Sequence, residues 1–377
     1  MLIIGIIVGL IVLVFLVAAH ELGHAIVAKR NGVVVEEFGI GFPPRAWAKK
    51  LKNGVLFTLN WLPLGGFVRL QGENDSAIKK GDYGAATFWQ KTKILFAGVA
   101  INWLIAVVLL TILAVTGLPK IIPNQFTVPS DTTVIASPVQ LGALTAGYPA
   151  EKAGLKKGDT IIKLAGEDIN DTAKLIEISK ANRGETVEVI YKRDNKQASV
   201  DVALRDSNAA VFGAALGQRE SIKATWSAPI VGIVTTGQYT VVTLQGLGDL
   251  VSNFFGGLFG QLTTNESDRK AASEKLNEAG ESVAGPIGIL GVIFPAASEA
   301  GFSQIVFLAA IISLTLAVMN ALPIPSLDGG RWFVTALFKV MKKPLTKDIE
   351  ETIHGIGFMV LIGLILLITV ADVFKLF

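Results

Sequence analysis

Four long runs of apolar residues without a charged side chain punctuate the chain. They alternate with segments that carry nearly all of the charged residues, and they cover residues 2–19, 94–118, 305–322 and 355–370. With their apolar flanks, the runs approach the roughly 20 residues that a helix needs to cross the hydrocarbon core of a bilayer. The pattern predicts a polytopic α-helical membrane protein with four transmembrane helices.

The first run is predicted to form transmembrane helix 1 over residues 1–28. It leads directly into the sequence His-Glu-Leu-Gly-His at 20–24 and stops before Lys29 and Arg30. A signal peptide is the alternative, but no basic region precedes the run and no cleavage-site pattern follows it. We therefore expect a retained helix.

Basic residues set the expected orientation. Eleven lysines or arginines lie within residues 29–93, and the positive-inside rule places such a segment on the cytoplasmic side. The protein is then expected in the cell (inner or plasma) membrane, with both termini outside. The predicted segments are a cytoplasmic re-entrant β region (29–93), helix 2 (94–118), a linker (119–133), an extracytoplasmic domain (134–206), an extracytoplasmic amphipathic helix and linker (207–304), helix 3 (305–330), a cytoplasmic loop (331–354) and helix 4 (355–377).

Residues 224–248 are also free of charge, which makes a fifth crossing an alternative. A crossing here would send helix 3 outward and carry its C-terminal end to the side opposite the end of helix 1. Glycine, threonine and glutamine are also frequent in this stretch. We expect an interfacial or packed helix that lies outside.

The segment 134–206 has the character of a small α+β domain. Residues 186–192 and 198–204 alternate apolar and polar side chains around the turn at 193–196, which is typical of paired strands. The run from Gly147 to Ile162 resembles PDZ domains of the bacterial protease type. This resemblance implies a domain that could bind a C-terminal peptide, with 140–144 as a candidate carboxylate loop; a plain spacer is the alternative.

Composition narrows the chemistry. The residues are 51% hydrophobic and 17% charged, with a mean hydropathy of +0.54, which is unusual for a soluble protein. There is no cysteine, so a metal site must be built from histidine and carboxylate ligands. The net charge of +3 is small and the basic residues cluster beside apolar runs, so we expect no nucleic acid partner.

The His-Glu-x-x-His pattern predicts a zinc site. His20 and His24 are four residues apart and lie on one face of a helix, where Glu21 can reach a water molecule held between them. Such a pattern also occurs by chance in soluble helices. Here it holds two of the three histidines of the chain and lies at membrane depth, where ionisable clusters are functional by default.

A catalytic zinc site needs a third protein ligand. Asp328 follows Pro323 and Pro325 and reaches the boundary near which His20 lies, about 27 Å along its helix from Leu2. A simple turn at this aspartate is the alternative. His354, at the start of the fourth run, is expected to be an interfacial residue instead.

These motifs together resemble the site-2 protease family of intramembrane metalloproteases. The resemblance rests on His-Glu-Leu-Gly-His in helix 1, the PDZ-like domain, and the segment Asn320–Gly330 in helix 3. It implies one Zn²⁺ per chain on His20, His24 and Asp328, Glu21 as the catalytic residue, and Asn320 as a group that binds substrate backbone or stabilises the oxyanion.

Residues 39–44 and 61–70 further resemble the re-entrant β region of the branch that includes the sigma-E regulator protease, and residues 285–288 resemble its segment before the third helix. The segments 55–61 and 66–71 are predicted to form a hairpin whose free edge receives substrate as an added strand. The substrate-strand candidates are Gly65, Gly66, Phe67 and Val68. A purely structural hairpin is an equal alternative.

The expected function is hydrolysis of peptide bonds in or near the transmembrane segment of single-pass membrane proteins that another protease has already trimmed. Release of a factor held by an anti-sigma protein and clearance of signal-peptide remnants both fit. The alternative is a non-catalytic PDZ-bearing membrane adaptor with a structural metal, which would need four protein ligands. A zinc transporter is less favoured, because no second cluster of intramembrane ligands is evident.

Overall fold

The structure is a computed structural model that describes residues 2–207, 210–263, 265–281 and 283–376. It divides into two compact units, one of residues up to 113 with those from 229 onward, and one of residues 114–228. The helices are α1 (Leu2–Arg30), α2 (Phe88–Thr116), α3 (Pro149–Lys152), α4 (Thr172–Ala181), α5 (Ala228–Gly260), α6 (Glu266–Glu281), α7 (Pro286–Gly288), α8 (Phe294–Ala300), α9 (Phe302–Ala321), α10 (Asp328–Val340) and α11 (Lys347–Leu376), with a π-helical turn (Ile289–Ile293) between α7 and α8.

Within the described residues, four helices are long and apolar enough to cross a membrane: α1, α2, α9 and the part of α11 from Lys347 to Val370. Helices suit this environment because they satisfy all backbone hydrogen bonds within the segment. These helices correspond to the four apolar runs of the sequence. The protein is a multi-pass membrane protein.

Helix α2 begins at Phe88, six residues before its apolar run. Thr87 and Gln90 form a reciprocal cap: the Gln90 N–H donates to Thr87 Oγ1 (3.3 Å), and Gln90 Oε1 accepts from the Thr87 N–H (2.8 Å). Such a capping box stabilises a helix start. The predicted β region 29–93 therefore ends earlier than hydropathy suggests.

Strands β1 (Val35–Lys50) and β2 (Leu56–Leu70) form the first sheet. Residues 37–40 have two sets of partners, 66–69 on one side and 56–59 on the other, and 45–50 register with 56–60. The predicted hairpin between 55–61 and 66–71 is therefore wrong. The two segments do not pair with each other but lie on opposite sides of 37–40. The stretch 66–70 forms one edge of this sheet.

The second unit contains a larger sheet, called the PDZ-like sheet after the sequence resemblance of the segment that forms it. Its strands are β5 (Gln140–Leu144), β6 (Thr160–Leu164), β7 (Glu167–Asp168), β8 (Thr186–Arg193), β9 (Lys196–Ala203) and β10 (Ala214–Gly217), in the order β10-β5-β6-β8-β9 with β7 beside β6. Strands β3 (Leu118–Pro119), β4 (Thr133–Ala136) and β11 (Glu220–Lys223) form a separate sheet in the order β3-β11-β4.

Two boundaries of the predicted domain 134–206 differ from the structure. Its first residues belong to β4 in the separate sheet, and β10 completes the PDZ-like sheet beyond residue 206. The candidate carboxylate loop 140–144 is also wrong, since these residues are strand β5, paired with β10 on one side and β6 on the other. Apolar side chains of β5, β6, β8 and β9 form the core of the unit together with those of α3, α4 and the connecting segments.

An ion pair between a buried carboxylate and a partly exposed guanidinium stabilises the turn into β6. Arg193 donates to both carboxylate oxygens of Asp159 (2.7 and 2.6 Å), and the Lys156 N–H donates to Asp159 Oδ2 (2.8 Å). Burial raises the pKa of Asp159, but these hydrogen bonds outweigh it and hold the pKa below its ordinary value. The carboxylate of the Gly-Asp turn is therefore structural.

Helix α5 packs against two of the membrane helices. Trp103 Nε1 of α2 donates to Thr240 Oγ1 (3.2 Å), and the ring of Tyr239 contacts that of Phe307 in α9. The predicted helix 224–248 is thus a packed one. Helix α5 is not among the four described helices that are long and apolar enough to cross a membrane.

The predicted cytoplasmic loop 331–354 is largely helical. Helix α10 extends to Val340 and α11 starts at Lys347. Helix α10 is strongly amphipathic, which explains the difference: Arg331 and Lys339 interrupt the apolar run without interrupting the helical periodicity.

Candidate metal centre

Three predicted ligands lie together between α1, α2 and the start of α10. His20 Nε2 is 3.0 Å from Asp328 Oδ2, His24 Nε2 is 3.3 Å from the same oxygen, and the two Nε2 atoms are 3.1 Å apart. Both histidines are buried. Within the described residues this is a cluster with the donor set of a catalytic zinc site, namely two imidazoles and one carboxylate.

Two glycines bring Asp328 to this position. A side chain on Gly329 would collide with the carbonyl of Ala321, and one on Gly330 would collide with that of Ile324. Because both positions lack a side chain, the end of α9 packs directly under the first turn of α10. The Asp-Gly-Gly sequence thus places the carboxylate against α1.

The pKa of Asp328 reflects its partners. Burial raises the pKa of Asp328, but the hydrogen bonds with His20 and His24 lower it by more. The pKa therefore lies well below the ordinary value of an aspartate. An ionised carboxylate is the form that binds a cation.

Gly98 of α2 faces the two imidazoles. A Cβ atom at this position would lie 2.5 Å from His24 Nε2 and 2.6 Å from His20 Cε1. Such distances are too short for any side chain. The close approach of α2 to α1 therefore depends on glycine at this position.

Groups on α2 orient both rings. His24 Nδ1 is 2.8 Å from the carbonyl oxygen of Ile94, to which it can only donate, so Nε2 carries the lone pair. Asn102 is fully buried, its Nδ2 is 3.4 Å from His20 Nδ1, and its Oδ1 has no hydrogen-bond partner within the described residues. Turning the amide so that Oδ1 accepts from Nδ1–H satisfies the orphaned oxygen and frees His20 Nε2 for a metal. The residues present fit a bound zinc ion.

Glu21 lies beside the ligand cluster and the edge of the sheet. Its carboxylate interacts electrostatically with His20, His24 and Asp328 and accepts a hydrogen bond from the backbone of Val68. A Cβ atom on Gly66 would lie 3.4 Å from Glu21 Cγ. Of the predicted substrate-strand candidates, Gly66, Phe67 and Val68 therefore belong to the strand edge next to this carboxylate, and Gly65 directly precedes it.

The other two residues considered from sequence have different surroundings. Asn320 Nδ2 donates to the carbonyl of Leu316 within α9 (3.0 Å), and among the described residues no hydrogen bond joins it to the ligand cluster. His354 Nδ1 accepts from the Ser326 N–H (3.0 Å) and so braces the turn before Asp328. Sequence reasoning missed Gly98 and Asn102, although a buried amide in a charge-free run was an available signal.

A cavity of about 490 Å³ opens onto Asp328. Arg331 lines it and pairs with Glu73 (3.0 Å) and Glu350 (3.3 Å). Burial lowers the pKa of Arg331, but the neighbouring Tyr83 and glutamates raise it more, so the guanidinium stays charged. This polar cavity offers water a path to the cluster.

Comparison with known proteins gives the family. The model described as "Peptidase family M50" matches residues 8–364. A putative zinc metalloprotease of Clostridium perfringens (strain 13) is 29% identical over 95% of this chain and 95% of its own length. Zinc metalloprotease RasP of Geobacillus kaustophilus and the regulator of sigma-W protease RasP of Bacillus subtilis (strain 168) are 27% and 26% identical, each over 96% of both chains.

Among solved structures, the PDZ domain of an SdrC-like protein from Listeria monocytogenes is similar to 21% of this chain and 86% of its own, at 23% identity and a TM-score of 0.19. The family match, by contrast, covers most of the chain and agrees with the predicted resemblance. The protein belongs to peptidase family M50 and is a zinc metalloprotease of the site-2 protease type.

Proposed function

We propose that His20, His24 and Asp328 hold the catalytic zinc ion and that Glu21 is the general base for hydrolysis of peptide bonds in membrane-embedded segments. The observation that carries this proposal is the convergence of three ligand atoms within 3.3 Å of one another, although Asp328 is 308 residues from His20. A structural zinc site is normally closed by a fourth protein ligand, and the described residues provide three.

The chain's own residues supply proton transfer and orientation. A zinc ion bound here supplies Lewis acidity for the water molecule and for the scissile carbonyl. Glu21 takes a proton from the attacking water and delivers it to the leaving amine nitrogen. The Val68 N–H holds the carboxylate in place between these two tasks.

The strand edge at 66–70 is the proposed docking site for substrate. A protease acts on an extended peptide, and an extended peptide can add to a sheet edge through backbone hydrogen bonds. Gly66 keeps this edge free of bulk next to Glu21. The candidates Gly65, Gly66, Phe67 and Val68 would then align the scissile bond, and Asn320 would bind the substrate backbone or stabilise the oxyanion.

The proposed substrates are single-pass membrane proteins that another protease has trimmed. One relative carries the name regulator of sigma-W protease, so an anti-sigma factor is a suitable substrate class, and remnant signal peptides are another. The basic segments favour a cytoplasmic position for the first sheet and an extracytoplasmic one for the PDZ-like unit. That unit would then exclude bulky outer domains or hold a new C-terminus.

A cleavage panel tests the substrate class. The purified protein in detergent is given single-pass helices with the outer domain removed, the same helices with the domain intact, and a soluble unfolded peptide, and mass spectrometry maps each cut. We expect cuts inside the apolar segment of the trimmed helices and slower cleavage of the intact ones. Cleavage of the soluble peptide alone would contradict an intramembrane substrate, and zinc-loaded protein that cuts none of the panel would contradict the proposed substrate class.

A further inference from the structure

A second cavity lies at the end of the membrane unit where α2 and α11 begin. Its volume is about 530 Å³, and none of His20, Glu21, His24 and Asp328 lines it. A volume of this size suits a small ligand. The polar side chains on its wall are four lysines, one aspartate and three hydroxyl residues: Lys91, Lys339, Lys343, Lys347, Asp75, Ser76, Thr335 and Thr346.

The wall of this cavity is strongly cationic. Lys91 Nζ forms an ion pair with Oδ1 of Asp75, the aspartate on the cavity wall, at 2.5 Å. Lys347 is 3.6 Å from Glu351, but both side chains are more than half exposed, so water screens that pair. Lys339 lies over the ring of Phe88 at 4.2 Å. The excess positive charge on the wall calls for an anionic ligand.

Thr335 contributes a buried hydroxyl to the lining of the cavity. The residue is 6% exposed, and its Oγ1 has no hydrogen-bond partner in the described part of the chain. Helical threonines such as Thr92 and Thr315 donate to the carbonyl four residues earlier, which is the usual arrangement. A buried hydroxyl left without a partner is costly, so a ligand acceptor inside the cavity would stabilise it.

The surroundings place the cavity at the depth of lipid headgroups. Two membrane-crossing helices begin beside it, at Phe88 and Lys347. Trp89 is exposed at the start of α2, where tryptophan commonly marks the membrane interface. Helix α10 and the residue that caps its C-terminal end carry an exposed apolar stripe spaced for one helix face: Phe333, Leu337, Val340 and Met341. An amphipathic helix with such a stripe and nearby lysines lies in the interface plane.

We propose that this cavity binds the phosphate headgroup of an anionic phospholipid, such as phosphatidylglycerol. The ammonium groups of Lys339, Lys343 and Lys347 supply the charge, and the Thr335 hydroxyl donates to a phosphate oxygen. The lipid chains lie along the apolar stripe of α10. This inference is independent of the proposed catalytic roles, because binding is measured without substrate cleavage.

A bound headgroup would also contact the segment that leads to the metal centre. Asp75 and Ser76 line the lipid cavity, while the preceding Glu73 and Asn74 line the cavity that opens onto Asp328. The Asp75 N–H donates to Glu350 Oε2 (2.7 Å), which ties this segment to α11. A bound lipid thus stabilises the wall of the cavity that opens onto Asp328.

Native mass spectrometry tests the proposal on the full chain released from nanodiscs of equal phosphatidylglycerol and phosphatidylcholine. We expect one retained phosphatidylglycerol per chain. The double variant Lys343→Gln/Lys347→Gln lowers its affinity about 30-fold, or ~2 kcal/mol, because each lysine near an anionic headgroup contributes roughly 1 kcal/mol. Thr335→Val keeps the side-chain shape, removes a hydroxyl that has no protein partner, and lowers the affinity about tenfold.

The matched control is Lys29→Gln/Lys80→Gln, which removes two exposed charges from the predicted cytoplasmic segment without touching the cavity. Wild-type retention in this control supports the site. Equal losses in both double variants, or no preference for phosphatidylglycerol over phosphatidylcholine, would overturn it. Displacement of the lipid by millimolar inorganic phosphate would identify a free-phosphate site and overturn the lipid assignment.

Discussion

Replacing Gly98 by alanine is expected to disable the metal centre from a helix that supplies no ligand. The added Cβ atom would lie 2.5 Å from His24 Nε2, whereas ordinary contact begins at 3.4 Å. The imidazole or helix α2 must therefore move by about 0.9 Å. Metal–ligand distances tolerate only about 0.2 Å. We expect at least a 100-fold loss of zinc affinity and a comparable loss of kcat/KM.

Chelator competition on the purified protein measures the zinc affinity, and cleavage of a trimmed single-pass substrate measures kcat/KM. Gly363→Ala is the matched control, because this glycine of α11 has open space around its Cβ position. The control should retain wild-type zinc affinity and activity. If Gly98→Ala binds zinc as tightly as wild type and cleaves at the wild-type rate, the ligand geometry described above is wrong.

Two further variants test the supports around the site and in the second unit. Asn102→Leu removes the amide that orients His20, and zinc affinity measured by the same competition should fall by 10–100-fold, while unchanged affinity would exclude this role. Asp159→Asn should lower the thermal midpoint of the PDZ-like unit in the full chain by roughly 5 °C at pH 7. Because the folded pKa of Asp159 is lowered, its contribution is present above the unfolded pKa of about 3.9 and disappears as the pH falls through the folded pKa, so the two melting curves should converge on acidification. A difference that persists unchanged at low pH would contradict the ion-pair explanation.

The sequence predicted the membrane helices and the ligand candidates because each rests on a local signal. Charge-free runs mark the spans, and the spacing of His20 and His24 fixes one helix face. Asp328 could be inferred since a Pro-broken helix end next to an acidic residue is unusual at membrane depth. That these side chains converge is a property of the fold and emerged only from the structure.

Other features depend on long-range pairing that periodicity cannot specify. The sequence predicted extended segments at 55–61 and 66–71, but it did not show that 37–40 lies between them. Strand β10 lies beyond the predicted domain boundary at residue 206 and joins the PDZ-like sheet by pairing with β5. Hydrophobic periodicity does not mark Gly98 either. This residue matters because the absence of a side chain leaves room for the two imidazoles.

The most direct test of the proposed mechanism compares wild type with Glu21→Gln in zinc content and in cleavage of a trimmed single-pass substrate. Glutamine preserves the size of the side chain and removes its ability to take a proton. The account predicts about one zinc per chain in both proteins and cleavage by wild type alone, with a loss in kcat of at least 100-fold. A Glu21→Gln protein that holds zinc and cleaves at the wild-type rate would contradict the assignment of Glu21 as the general base.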